Sequence, residues 1–72
     1  MMNVNKLRGK IVEKGYNVER LANEVGMDKS SLYRKLNNKG ETLTIREANL
    51  ICEVLELSTE EAVAIFFTGN VA

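Results

Sequence analysis

Residues 17–37, NVERLANEVGMDKSSLYRKLN, hold the pattern from which the rest of the chain can be read. Leu21 and Val25 stand four apart, so a helix puts them on one face, and Ala22 beside them leaves room for a second helix to cross closely. Asn17 offers a side-chain oxygen to cap that helix. Gly26 falls just past its end, where the chain commonly needs a positive φ that glycine adopts freely. Asp28 caps the helix that follows, and Leu32 and Leu36 bury it. The other face of this second rod turns Lys29, Ser30, Tyr33, Arg34 and Asn37 outward. Two helices braced across a one-glycine corner, with a polar face on the second, are the smallest protein unit that reads DNA.

On the N-terminal side, Val4, Leu7 and Ile11 recur at spacings of three and four and predict a helix from about Asn5 to Lys14, ended by Gly15. Tyr16 before Asn17, and Met27 before Asp28, occupy the position from which an apolar side chain staples the next helix. On the C-terminal side, Asn37 to Thr42 is a polar loop, and Thr44 with Glu47 makes a capping box for a fourth helix reaching about Leu55. Ser58 with Glu61 repeats the box for a fifth helix. No segment alternates with period two over a useful length, so strands are not expected. The expected architecture is all-α, five helices, a single domain over residues 1–72 with its core in about residues 5–67. In the last helix Ile65, Phe66 and Phe67 are consecutive. Successive helical residues lie about 100° apart, so three in a row span too wide an arc to face one small core. At least one is left on the surface unless a partner covers it, or else the helix frays and the aromatics fold back.

Seventy-two residues bury a modest core and leave little mass for an active site. With no histidine and one cysteine, the chain lacks the parts for a Cys/His zinc site, a Ser/His/Asp triad or an internal disulfide, so neither metal, cofactor nor catalysis is expected. Cys52, between Ile51 and Leu55, reads as a small apolar residue of a helix, and a lone thiol fits a reducing cytoplasm. No apolar run is long enough for a secretion signal or a membrane span. Net charge is zero, yet it is unevenly spread. Residues 1–39 carry nine basic side chains against four acidic, a balance of +5, and residues 40–72 carry −5. Such asymmetry suits one face to a polyanion and another to solvent or a protein partner.

The run LANEVGMDKSSLYRKLNNKGETLTIREANLICEVLEL, residues 21–57, resembles the helix-turn-helix domain of the phage repressor and Cro family, also called Xre or lambda-repressor-like. The resemblance rests most on Leu21, Ala22, Val25, Gly26, Met27 and Leu32, and extends over about residues 5–67. It implies a transcriptional regulator whose third helix lies in the major groove of double-stranded DNA. By position it hands base reading to Lys29, Ser30, Tyr33 and Arg34, and places Asn17, Val18, Ser31 and Asn37 near the phosphates. Lys35 and Lys39 are expected on the DNA backbone as well. Where the family often has a branched apolar residue three after Leu32, this chain has Lys35, and Leu36 takes the buried role. The implied setting is a bacterial host cell, in the cytoplasm at the nucleoid, on a pseudo-palindromic operator bound by a homodimer that meets through Ile65, Phe66 and Phe67. With no oligomerisation or sensor segment in it, the chain fits a short Cro-like regulator. The rival reading is a helix-turn-helix used to hold a protein, such as an antirepressor masking a phage repressor; Asp28 and the neutral overall charge favour it.

Overall fold

The computed structural model describes residues 2–67; the expectation that the domain runs from residue 1 to 72 lies outside the described residues at both ends. The chain forms five helices and, among the described residues, no strand: α1 (Val4–Glu13), α2 (Val18–Val25), α3 (Lys29–Asn37), α4 (Ile45–Val54) and α5 (Thr59–Phe66). Each begins on a side-chain oxygen that accepts a hydrogen bond from a first-turn backbone N–H. Asn17, Asp28, Thr44 and Ser58 do this as the sequence predicts, and both capping boxes close. The first helix differs. Its cap is Asn3, whose Oδ1 accepts from the Lys6 N–H, so α1 starts at Val4 and ends at Glu13, slightly ahead of the expected bounds.

The ends of α1, α2, α3 and α4 share one device. The N–H of Tyr16, Met27, Gly40 and Leu57 reaches back to the carbonyl of Ile11, Ala22, Lys35 and Cys52, at 2.8, 2.8, 2.8 and 3.0 Å. Each donor follows a residue of positive φ: Gly15 (84°), Gly26 (77°), Lys39 (61°) and Glu56 (52°). This closure satisfies carbonyls that a helix end would otherwise orphan, and it fixes the exit direction of the chain. Gly26 therefore sets the corner between α2 and α3.

Leu7, Ile11, Leu21, Ala22, Leu32, Leu36, Ile51, Leu55 and Ile65 are almost wholly buried, and Val18 and Val25 close to it. Met2, Val4, Tyr16, Met27, Leu43, Leu50, Val54, Leu57 and Phe66 pack partly buried around them. α2 packs on both α3 and α4, and α1 packs on α5. The Asn3 N–H donates to the Ile65 carbonyl at 2.6 Å, and Lys10 pairs with Glu61 at 2.6 Å, so α5 is fastened to α1 at two points. The Lys10 bond and the Ser58 N–H hold the Glu61 carboxyl down at about 2.

The three consecutive residues of α5 separate as their angular spread demands. Ile65 is fully buried, which corrects its place on the expected partner surface: it is a core residue. Phe66 is half-buried against the core, and Phe67, at the end of the helix, is 64% exposed. The helix does not fray before Phe66.

Candidate nucleic-acid interface

Rotation of α3 about its axis is set by Leu32 and Leu36, which are buried against α2 and the rest of the core. That leaves the opposite face in solvent. Lys29, Ser30, Tyr33, Arg34 and Asn37 are all exposed there, while Ser31 is half-buried at its border. Ser30, Tyr33, Arg34 and Asn37 follow at intervals of three, four and seven and so share one stripe of the helix. Asp28 Oδ2 accepts from the Ser30 N–H at 3.0 Å and anchors the start of the stripe. The stripe presents two hydroxyls, one on an aromatic ring, a planar guanidinium and an amide, and Lys29 beside it adds an ammonium. A guanidinium can engage guanine O6 and N7 together, worth about 1–3 kcal/mol of discrimination against a wrong base.

The N-terminus of α2 is built from Asn17 and Val18. The Arg20 N–H donates to Asn17 Oδ1 at 2.7 Å, so the amide oxygen serves the cap, and the residue is exposed. The Val18 side chain is buried, and as the first residue of α2 its backbone N–H stands at the positive end of the helix dipole. Arg20 folds back: its Nη1 donates to the Gly15 carbonyl at 3.3 Å and its guanidinium lies 4.6 Å from the centre of the Tyr16 ring.

Not all the expected cations are free. Lys35 Nζ donates to both carboxylate oxygens of Glu47 at 2.8 Å, with side-chain exposures of 20% and 21%. The same Glu47 carboxylate closes the capping box of α4, so Lys35 ties α3 to α4 and its charge is neutralised at short range. Bonds from Lys35 and then from the Thr44 backbone hold the Glu47 carboxyl below its ordinary range. Lys35, expected on the DNA backbone, is thereby a bracket between helices. Lys29 lies 3.8 Å from Glu19, both well exposed, a contact that water screens heavily. Lys39 is exposed in the turn after α3. Arg8, which no local sequence signal singles out, reaches from α1 to α3, where its Nη2 donates to Asn37 Oδ1 at 3.0 Å.

Away from α3, a groove of about 360 Å³ opens between the 39–43 turn, α4 and α5, lined by Met2, Leu43, Ile45, Cys52, Phe66 and Phe67 among others. Ile45 is 81% exposed, an apolar residue at the first position of α4 with no core to enter. Burial pushes the Cys52 thiol up from its ordinary value, which suits a packing role. Among the described residues no three acidic or cysteine side chains gather where they could hold a metal ion, and no helix is long and apolar enough to cross a membrane.

Neither the curated proteins nor the solved structures contain a match to this chain. A family model does match, that of the Cro/C1-type HTH DNA-binding domain, and it covers residues 6–66, from the first turns of α1 to the last residue of α5. With the braced corner at Gly26 and the exposed stripe of α3 inside that match, the chain belongs to the Cro/C1-type helix-turn-helix DNA-binding family.

Proposed function

We propose that this protein is a sequence-specific transcriptional regulator of phage or prophage Cro or repressor type, reading the major groove with α3 in the cytoplasm of a bacterial host. It acts by binding and not by catalysis. The observation that carries the reading is the solvent-facing stripe of Lys29, Ser30, Tyr33 and Arg34 on a helix whose rotation is fixed by two buried leucines. In this reading those four side chains meet base edges. Asn17, the Val18 N–H, Ser31, Asn37 and Lys39 meet phosphates, and Lys35 does not, because Glu47 holds it. Selection of bound fragments from a random DNA pool tests this directly. A defined consensus is expected; Arg34→Ala should relax it at one position, and Lys39→Ala should weaken all sequences alike.

One such module buries little surface on DNA, so useful affinity calls for two copies on a two-fold site. The surface proposed to join them is the groove with Ile45, Phe66 and Phe67, apolar side chains that a second copy would cover. The ion pair of Glu19 with Lys29, and Asp28 at the head of α3, favour a second reading in which this face holds a protein, such as a phage repressor. Failure to bind any DNA at low salt, together with a defined complex with such a repressor, would establish that reading instead.

A further inference from the structure

We propose that Arg8 and Asn37 together form a clamp for one DNA phosphate beside the C-terminal end of α3; the proposal rests on the DNA-binding reading above. Arg8 is on α1, 29 residues from Asn37 in sequence, and its Nη2 donates to Asn37 Oδ1 at 3.0 Å. A guanidinium has only donors, so this bond settles which way the amide faces: the oxygen turns to Arg8 and the two N–H groups of Nδ2 turn away from it. Asn37 is exposed and ends the stripe that carries Ser30, Tyr33 and Arg34.

Arg8 also differs from its neighbours in charge. Lys10, Lys29 and Lys35 each have a glutamate within ion-pair distance, whereas Arg8 makes no ion pair among the described residues. One of its five donors serves Asn37, and the others remain. The two side chains thus present, side by side, several N–H donors and an uncompensated positive charge. Their complement is an anion with more than one acceptor oxygen, which on a duplex is the phosphodiester. The position agrees: in the last turn of α3, Lys35 is drawn off to Glu47 and Arg34 is assigned to a base edge, so Arg8 adds to Lys39 a second cation for a phosphate there. The clamp further links α1 to the reading helix when DNA is bound, so Arg8 both touches the phosphate and positions Asn37.

The test uses a duplex bearing the selected site, with affinity measured across a range of salt for Arg8→Gln, Asn37→Ala and the double variant. Arg8→Gln keeps a donor for Asn37 and removes the charge. It should weaken binding roughly tenfold at low salt. The slope of log affinity against log salt should fall by about 0.9, as for one phosphate, with the selected consensus unchanged. The double variant should lose less than the product of the two single losses. Unchanged affinity and slope in Arg8→Gln, while Arg34→Ala still alters base preference, would overturn the clamp and leave the DNA reading standing. A loss equal at all salts that tracks a lowered thermal midpoint would make Arg8 a structural residue only, and a changed consensus would make it a base reader; either overturns the phosphate assignment. If the unaltered protein binds no duplex at all, the DNA reading fails and the clamp with it.

Discussion

Glu56 holds a left-handed backbone, φ 52°, at the end of α4, where Gly15 and Gly26 do the same service for α1 and α2. A side chain with a Cβ pays a steric penalty there that glycine does not. Glu56→Gly should therefore raise stability, by about 0.5–1 kcal/mol after the extra freedom of glycine in the unfolded chain is discounted, and leave DNA affinity unaltered. Denaturant midpoints of the two proteins check it. At this scale the sequence is legible where a residue type admits few conformations. Gly15 and Gly26 announce their turns, whereas Glu56 is forced into its shape by the closing bond from Leu57 to Cys52, and nothing in a glutamate signals that. Arg8 was illegible for a related reason: its partner is 29 residues away, and side-chain pairing at such distance depends on how the helices pack.

The proposed reading helix has a conflict built into its N-cap. Asp28 caps α3 by accepting from the Ser30 N–H, yet its carboxylate stands beside side chains proposed to approach a polyanion. Asparagine caps about as well and carries no charge, so Asp28→Asn should strengthen DNA binding several-fold at low salt, with stability held within about 0.5 kcal/mol. Titrations of one duplex at low and high salt decide it, since the gain should shrink as salt rises. Element starts were the most readable level of this chain. Asn17, Asp28, Thr44 and Ser58 each cap as their positions imply, because capping is a contact between residues two or three apart. The cap at Asn3 is less readable, since the apolar spacing of α1 marks the helix but not its first residue. Which face each residue takes within an element was harder. Spacing suggests outward roles for Lys35 and Ile65, and both are drawn inward by contacts beyond their own helix: Lys35 by Glu47 on α4, and Ile65 by the common core.

Across the whole molecule, two half-buried ion pairs join helices, Lys10 on α1 with Glu61 on α5 and Lys35 on α3 with Glu47 on α4. The Glu61 carboxyl, ordinarily near 4.5, is held down at about 2 in the fold, so between those values the unfolded chain binds more protons than the native one. Its contribution to stability is complete above about pH 4.5 and is lost as the pH falls through that interval, with Glu47 acting in the same direction. Lys10 is raised by the Glu61 and Glu13 bonds, so its share is present below its ordinary 10.5 and is lost as the pH climbs through the higher folded value. Glu61→Gln should flatten the acid arm of a plot of urea midpoint against pH while leaving the reading face untouched. The proposed pairing of copies belongs to this scale too. Ile45→Glu combined with Phe67→Ser alters two exposed residues that do not belong to the core, so the thermal midpoint should hold. Sedimentation should then report a smaller species, and the operator affinity should drop; an unchanged mass would remove the groove as the contact.

The double fastening of α5 has a mechanical consequence. Asn3 grips the last turn of α5 and Lys10 grips its first, so a swing of the helix about the short link from α4 would have to break both bonds. Any load applied at Phe67 passes into α1, and from α1 through Arg8 to the far end of α3. Two protomers joined at their fifth helices would then behave as the jaws of a fixed caliper. Such a tool tolerates altered letters at the middle of its site far better than one inserted base pair, which rotates one half-site out of reach.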